Sequence, residues 1–274
     1  MPASDALPTS TYHASDGAAY DRWLGRWAER LAETLIDFAE FPGAGDLLDV
    51  GCGTGALTFA LARRWPHRRV VGLDLAEPFI TYARARAARL SQPTFALGDA
   101  CALPYQDGDF AGAASQLVLM FIPKPERALR EMLRVVRSGG TIAAALWDFR
   151  GGLTFQRLLW DTAAALDPEA RATRNRLFSA PLVLPDGLVN LFQACALQDV
   201  ERQSLTIRME FADFDDYWQP FLGGQGPVGT YFAKLEPELK ARIRHAVADA
   251  YCCGAPDGPR SLTATAWAVR GRVP

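Results

Sequence analysis

The most constraining feature of this sequence is the run LLDVGCGTGALT over residues 47–58, in which an apolar stretch passes directly into closely spaced glycines. The apolar stretch is typical of a buried strand, and the residues after the glycines are typical of a helix. Gly51, Gly53 and Gly55 carry no Cβ, so the backbone there is free to approach a ligand closely. The following helix points unpaired amide N–H groups at the same place. The run therefore predicts a nucleotide-binding site at the end of a strand.

Two classes of nucleotide are compatible with this glycine run. Its spacing satisfies the G-x-G-x-x-A fingerprint of dinucleotide-binding proteins, with Asp74 as the acid at the end of the next strand. Two further acids favour a different nucleotide, because Asp49 lies inside the first strand and a third strand ends in Gly98-Asp99-Ala100. With these residues in place, the chain resembles the class I S-adenosylmethionine-dependent methyltransferases.

The resemblance extends well beyond the glycines. It covers about residues 20–150 closely, and residues 262–270 look like the last strand of the family's sheet. The likeness is greatest to the small-molecule branch that includes quinone-biosynthesis methyltransferases. One departure is Ser138, which stands where the family usually has proline before a Gly-Gly pair; this is a turn preference and leaves the chemistry unaffected. The segments in the family's order and spacing are DVGCGTG at 49–55, VGLD at 71–74, GDA at 98–100 and RVVRSGG at 134–140.

Strand and helix patterns alternate through the first half of the chain. Apolar residues at helical spacing over residues 24–38 predict an amphipathic helix before the first strand. The alternation continues through a strand at 112–120 to another at 141–147, which indicates a parallel sheet with right-handed crossovers. We therefore predict an α/β, doubly wound, Rossmann-like sheet with helices on both faces. The resemblance implies seven strands, mostly parallel, with residues 203–211 and 262–270 as an antiparallel C-terminal pair.

The pattern changes after the strand that ends near residue 147. Residues 150–202 have helical patterns, and residues 212–260 are rich in aromatic residues and glycine. We expect a single methyltransferase domain over residues 1–274, with these two segments as helical and aromatic insertions that cap the substrate. We also expect residues 1–20 to form a flexible N-terminal lid.

Composition indicates a protein of the cytoplasm. The formal net charge of −2 gives no electrostatic reason to expect nucleic acid or an anionic membrane as a partner. The longest nearly apolar run, residues 111–122, is too short to span a bilayer. No apolar segment precedes the first basic residue, Arg22, so we expect no signal peptide. The five cysteines show no metal-ligand spacing, which favours a reducing compartment and predicts no metal site.

The resemblance implies S-adenosylmethionine as cofactor and S-adenosylhomocysteine as product. In the matching positions, Asp74 accepts both ribose hydroxyls, Asp99 accepts the adenine amino group, and Ala100 gives its backbone N–H to the ring. Arg26 matches a segment that reaches the cofactor carboxylate. The full set of expected cofactor-binding residues is Arg26, Asp49, Gly51, Cys52, Gly53, Asp74, Leu75, Asp99, Ala100 and Gln116.

Several of these residues also have simpler interpretations. The alternative for Asp74 is a cap of the next helix, that for Asp99 is a turn, and that for Arg26 is a solvated helical side chain. Asp49 lies in a strand expected to be buried, so its charge needs partners, which we expect to be glycine-loop N–H groups and, through water, the cofactor ammonium. Gln116 either orients substrate or satisfies a turn.

Candidates for catalysis and substrate binding are fewer. His13 and Asp148 are the candidate general bases, with a solvated tail and a turn as their respective alternatives. Aromatic residues in an insertion form either a substrate pocket or the insertion's own core. The candidate substrate-binding residues are Trp147, Trp218, Phe221 and Tyr231.

The sequence therefore predicts transfer of a methyl group from S-adenosylmethionine to a small, apolar or aromatic acceptor by in-line displacement. Two alternatives stay open: a module that binds the cofactor and regulates a partner without catalysis, and an NAD-dependent oxidoreductase. The identity of the acceptor, the atom that is methylated, the use of a general base and the oligomeric state are not specified by the sequence.

Overall fold

The fold is a seven-stranded sheet covered by helices. A computed structural model describes residues 10–12, 14 and 16–274 of the chain. The strands in these residues are β1 (Leu47–Val50), β2 (Val70–Asp74), β3 (Thr94–Leu97), β4 (Phe110–Gln116), β5 (Val136–Trp147), β6 (Gln198–Phe211) and β7 (Arg260–Arg272). Their order in the sheet is β3-β2-β1-β4-β5-β7-β6. β1 to β5 pair in parallel, while β7 is antiparallel to β5 and β6. The predicted doubly wound, Rossmann-like sheet with an antiparallel C-terminal pair is confirmed.

Helices connect the strands and continue beyond them. The helices of the described residues are α1 (Gly17–Tyr20), α2 (Arg26–Ala39), α3 (Ala56–Arg64), α4 (Glu77–Ala87), α5 (Pro125–Val135), α6 (Thr154–Leu166), α7 (Pro168–Ser179), α8 (Gly187–Ala194), α9 (Phe214–Trp218), α10 (Gly226–Phe232) and α11 (Pro237–Cys252). A π-helical turn, Asp21–Gly25, joins α1 to α2. The amphipathic helix predicted before the first strand is therefore present, and it continues from this turn.

The two faces of the sheet bury alternate residues of the central strand. Leu47 of β1 belongs to a core that includes Leu31 of α2, whereas Leu48 belongs to a second core that includes Met132 of α5. Successive side chains of a strand point to opposite faces, so a continuous apolar run needs helices on both sides. This burial on both faces confirms the predicted placement of helices on both sides of the sheet. The ends of the strands are not covered by these two layers.

Strand β4 ends earlier than its sequence pattern indicates. The predicted strand continued to Met120, but the observed strand stops at Gln116. Leu117 has φ +67°, in the left-handed region that a β-strand does not use, and a 3₁₀ turn follows at Leu119–Phe121. The apolar residues after Gln116 are therefore turned across the strand ends instead of extending the sheet, and the last four residues of the prediction are wrong.

The two insertions divide between the faces of the sheet. Helices α6, α7 and α11 pack together in the first core, with the aromatic residues of α9 and α10. Helix α8 belongs to the second core instead, where it packs against α5. Parts of both insertions therefore pack on the first face of the sheet, and α8 covers the opposite face.

Candidate functional site

A cavity of about 380 Å³ opens at the carboxyl ends of the parallel strands. Such volumes are typical of small-molecule sites, which span roughly 300 to 1,000 Å³. The carboxyl ends of neighbouring parallel strands meet at one edge of the sheet, where ligands of doubly wound proteins bind. The sequence-predicted residues that border this cavity are Asp49, Gly51, Cys52, Gly53, Asp74, Leu75, Asp99, Ala100, Gln116 and Trp147.

The glycine loop needs glycine at its first position for a steric reason. Gly51 has φ +75°, and a Cβ there would lie 2.5 Å from Cγ1 of Val118. The backbone N–H groups of Gly51 and Cys52 both donate to the carbonyl of Leu73, at 2.7 and 2.9 Å. These bonds hold the loop against β2, so the bare backbone of the loop forms one wall of the cavity.

Asp74 joins the glycine loop to the end of β2. Its Oδ2 accepts a hydrogen bond from the backbone N–H of Gly53 at 2.8 Å, and its Oδ1 accepts one from Ala76 at 2.8 Å. Burial raises the pKa of the carboxyl, and the backbone hydrogen bonds oppose that shift. Each oxygen keeps a lone pair for a further donor. The neighbouring Leu75 is 45% exposed, which leaves an apolar side chain at the rim of the cavity.

Asp99 combines a turn role with a position at the cavity. Its Oδ1 accepts from the backbone N–H of Cys101 at 2.8 Å, which is the turn contact that the sequence allowed. The other carboxylate oxygen makes no hydrogen bond within the described residues, and Asp99 and Ala100 both border the cavity. The turn therefore orients the carboxylate at the ligand site.

Asp49 is buried below the glycine loop. Its Oδ2 accepts a hydrogen bond from the Thr58 hydroxyl at 2.6 Å, while its Oδ1 is buried without a partner. Burial is the main cause that raises the pKa of Asp49 to about 7; the Thr58 hydrogen bonds lower it, and the charge of Asp74 raises it. Thr58 of α3, not a glycine-loop N–H, is thus the side-chain partner of Asp49. A cationic group bound in the cavity would favour the ionised form.

Gln116 and Leu117 form the end of β4 at the cavity. The Gln116 amide donates through Nε2 to the carbonyl of Ala28 at 2.9 Å, while its Oε1 is buried without a partner. Gln116 therefore fastens α2 to the sheet. Left-handed backbone at a residue with a side chain carries strain and is frequent at functional sites, and Leu117 adopts it here.

An aromatic cluster from the N-terminal segment closes one side of the cavity. The rings of Tyr12 and Phe121 are 5.0 Å apart, and those of Tyr20 and Phe79 are 5.1 Å apart. The backbone N–H of Thr11 donates to the carbonyl of Phe121 at 2.8 Å. Burial raises the pKa of the Tyr12 and Tyr20 hydroxyls above its usual value. The candidate base His13 lies outside the described residues.

Two predicted site residues have their side chains engaged elsewhere. Arg26 Nη1 forms an ion pair with Asp216 Oδ1 at 2.9 Å, and its guanidinium lies 4.5 Å from the Trp27 ring centroid. Asp148 Oδ1 accepts from the backbone N–H groups of Arg150 and Gly151, at 3.0 and 3.1 Å, which is its turn interpretation. Neither Arg26 nor Asp148 borders the cavity.

Of the four candidate substrate-binding aromatics, Trp147 alone borders the cavity. Trp218 and Phe221 are 1% and 2% exposed within the first core, so their packing matches the structural alternative. The Tyr231 hydroxyl donates to Asp167 Oδ2 at 2.6 Å, beside a separate surface depression. The three residues make the aromatic core of the insertions and do not contact the cavity.

Several bordering residues were missed by sequence reasoning. Tyr12 and Tyr20 lie in the segment expected to act as a lid, which was the available signal. Phe79, Phe121 and Gln156 follow no motif, and only the packing of their helices and turns brings them to the cavity. The missed residues that border it include Tyr12, Tyr20, Trp23, Phe79, Phe121, Phe149, Gln156 and Leu177.

The cavity fits an adenosyl group bearing a cationic amino acid. The glycine loop supplies bare backbone, Asp74 and Asp99 offer carboxylate oxygens at separate strand ends, and the unpartnered oxygen of Asp49 supplies a buried negative site.

In the part of the chain that the structure describes, no group of three or more His, Cys, Asp or Glu side chains is arranged to hold a metal ion. Over the same residues, every helix is too short or too polar to cross a bilayer.

A family model described as a methyltransferase domain matches residues 48–144. That match runs from β1 into β5 and includes Asp49, the glycine loop, Asp74 and Asp99. This part of the chain is similar to a methyltransferase domain. The matched segment contains most of β1, all of β2 to β4 and most of β5, and the predicted resemblance to methyltransferases is confirmed.

Curated relatives of this chain have names that specify different acceptors. A malonyl-[acyl-carrier protein] O-methyltransferase from Geobacter sulfurreducens is 36% identical over 60% of this chain and 59% of its own length. A 2-phytyl-1,4-naphtoquinone methyltransferase from Thermosynechococcus vestitus is 40% identical over 43% of this chain and 52% of its own. The chain thus spans little more than half of these two relatives. A nocamycin O-methyltransferase from Saccharothrix syringae is 26% identical over 93% of this chain and 94% of its own.

A solved structure shares the fold. A putative methyltransferase from Bacillus halodurans superposes with a TM-score of 0.54, at 16% identity, over 89% of this chain and 98% of its own. At this identity the likeness concerns the arrangement of strands and helices. It agrees with the seven-stranded sheet described above.

Proposed function

We propose that this protein is an enzyme that transfers a methyl group from S-adenosylmethionine to a small, uncharged and largely apolar acceptor. The observation that carries the proposal is the continuity of one cavity. It begins at the glycine loop, Asp74 and Asp99 and continues past Trp147 to Phe149 and Leu177. A cofactor held at one end thus faces an apolar space at the other.

The residues of the cofactor end have distinct tasks in this proposal. Asp74 accepts the ribose hydroxyls, Asp99 accepts the adenine amino group, and Asp49 attracts the amino-acid ammonium. When bound, the cofactor supplies an activated methyl group on a sulfonium. The chain aligns the two reactants and excludes water, and alignment alone supplies roughly 7 to 11 kcal/mol in favourable cases.

The acceptor end contributes shape and a low dielectric. Leu146 and Trp147 lie at the end of β5, and the N-terminal aromatic cluster of Tyr12 covers the opposite side. His13 stays a proposal as general base, because its neighbours Tyr12 and Ala14 both border the cavity. Asp148 is the weaker candidate, since its carboxylate holds a turn.

We also propose a class of partner and a location in the cell, from the net charge and the cysteines. A free small molecule as acceptor is favoured by the net charge of −2, which gives nucleic acid no electrostatic attraction. A cytoplasmic location is favoured by the five cysteines, all of which are unpaired in the structure.

The test begins with calorimetric titration of S-adenosylmethionine, S-adenosylhomocysteine and NAD. We expect micromolar binding of the first two and none of NAD. Cofactor labelled in its methyl group is then incubated with acceptor panels and cell extracts. Cofactor binding without any transfer would support the regulatory module instead, and binding of NAD alone would support the oxidoreductase.

A further inference from the structure

Gln156 is a strongly buried polar side chain at the acceptor end of the cavity, and its function is unexplained. Gln156 lies in the first helical turn of α6, is 4% exposed and borders the cavity. Its side-chain amide makes no hydrogen bond within the described residues, although its backbone N–H donates to Leu153 at 3.1 Å. The amide borders the open cavity, and a ligand that displaces water from it must replace the lost hydrogen bonds, because an amide removed from water without a partner is unfavourable. This side chain is therefore arranged for a group that enters the cavity.

Helix α6 is held so that Gln156 stays at the cavity. The hydroxyl of Tyr217 donates to the carbonyl of Phe155 at 2.6 Å, and the rings of Phe155 and Phe221 stack at 5.7 Å. Trp160, one turn later, is fully buried. The aromatic core of the insertions therefore fixes the helix that carries Gln156 instead of contacting the ligand itself.

Charge around the cavity is one-sided. Among the described residues that border it, the charged side chains are Asp49, Asp74 and Asp99, all at the cofactor end. Nearby cations have other partners: Arg26 is paired with Asp216, and Arg157, the residue after Gln156, is paired with Asp161 at 2.6 Å. An acceptor with a carboxylate or phosphate would therefore lose its hydration without gaining a counter-charge from these residues.

We propose that Gln156 determines acceptor specificity, by hydrogen bonding to a hydroxyl or carbonyl group of an uncharged and otherwise apolar acceptor. The inference rests on the proposed function and specifies its substrate class. An amide both donates and accepts, so it matches either a hydroxyl or a carbonyl oxygen. The same side chain offers a carboxylate no compensating charge, so anionic acceptors are disfavoured.

The experiment uses three probes with one ring system: 2-naphthol, 2-naphthoate and 2-methylnaphthalene. Each is titrated calorimetrically into the full chain saturated with S-adenosylhomocysteine. We expect 2-naphthol to bind at least tenfold more tightly than either of the others. The Gln156→Leu variant should bind 2-naphthol about tenfold more weakly than wild type does, while its affinity for 2-methylnaphthalene should be unchanged. Gln193→Leu, at an exposed position of α8, is the matched control and should change nothing.

The outcomes separate this inference from the proposed function. Equal binding of 2-naphthoate and 2-naphthol, no binding of any probe, or an unaltered Gln156→Leu variant would overturn the role of Gln156. The affinity for S-adenosylhomocysteine itself, measured in the same variants, reports on folding and on the cofactor site. If the wild-type chain does not bind S-adenosylhomocysteine, the proposed function is overturned. If it binds S-adenosylhomocysteine but binds the three probes equally well, only the proposed role of Gln156 in specificity is overturned.

Discussion

The hydroxyl of Thr54 donates a hydrogen bond to Asp21 Oδ1 at 2.5 Å, and this contact joins the π-helical turn before α2 to the glycine loop. Arg86 of α4 completes the junction, because its Nη1 lies 3.2 Å from both Asp21 Oδ2 and the Thr54 carbonyl. The turn places Trp23 and Leu24 at the cavity. Thr54 and Arg86 therefore couple the N-terminal segment to the glycine loop.

Thr54→Val tests this junction, because it keeps the shape of the side chain and removes the hydroxyl. We expect a loss of about 1 to 2 kcal/mol in the free energy of unfolding, since a buried hydrogen bond to a carboxylate disappears. Hydrogen exchange should become faster over residues 16–25. In the control Thr230→Val, the lost hydroxyl bonds only the Gly226 carbonyl within its own helix. Equal exchange in both variants would contradict the coupling.

Asp74→Ala tests the cofactor end. Charged hydrogen bonds are worth about 1.5 to 3 kcal/mol each, so we expect the Kd for S-adenosylhomocysteine to rise at least about thirtyfold. The Asp74→Asn variant should lose less affinity for S-adenosylhomocysteine, because its amide oxygen still accepts a hydrogen bond from one donor. The control Asp46→Asn alters a carboxylate that pairs with Arg69 at the other end of β1. A Kd within threefold of wild type in Asp74→Ala would refute the ribose contact.

The raised pKa of Asp49 predicts a specific pH dependence of stability without ligand. The folded carboxyl has a pKa of about 7, whereas in the unfolded chain it ionises near 3.9. Between these values the folded state holds more protons, so the free energy of unfolding falls as pH rises. We expect wild type to lose at least about 1.4 kcal/mol relative to Asp49→Asn between pH 5 and pH 8, the equivalent of one pKa unit. If the denaturant midpoints of the two proteins changed with pH in the same way, a raised pKa of Asp49 would be excluded as the cause.

Arg26→Met separates two roles of the arginine. The ion pair with Asp216 predicts a stability loss of about 1 kcal/mol, because both partners are about one-third exposed. It also predicts that the affinity for S-adenosylmethionine stays within threefold. The carboxylate contact implied by the family resemblance would instead give a tenfold weaker Kd with unchanged stability. Calorimetry and urea unfolding on one preparation distinguish the two.

Phe221→Ala tests whether the insertion aromatics are a core. The side chain is 2% exposed and stacks on Phe155, so we expect a loss of about 3 to 5 kcal/mol in stability. The exposed Leu90→Ala should cost little. If Phe221→Ala kept its melting temperature but lost acceptor binding, the residue would be a direct substrate contact after all.

Much of the cavity border at the strand ends was predictable from local patterns. Asp49, Asp74 and Asp99 each follow or lie in a short strand, and parallel strands bring their carboxyl ends to one edge. The spacing of residues within single βα units therefore suffices to bring the three acids together. The early end of β4 was not predictable, because the apolar run that continues past Gln116 looks the same in a strand as in a strained turn at Leu117.

The acceptor end depended on contacts between distant segments. Trp147 ends a predicted strand and Trp218 lies in a predicted insertion. Trp147 borders the cavity, whereas Trp218 is a core residue. Arg26 found its partner at Asp216, which is 190 positions away. Nothing around Gln156 in the sequence distinguishes it from a surface glutamine on an amphipathic helix.

The sequence by itself therefore determined the sheet, the glycine loop and the acids at the strand ends, because those features depend on residue type and short-range spacing within repeated strand and helix units. The tertiary structure alone decided which aromatics form the insertion core, which cation is already paired and which amide faces the cavity. These depend on how α6, α9 and α10 pack over the strand ends, and packing is settled by shape complementarity between segments that are far apart in the chain.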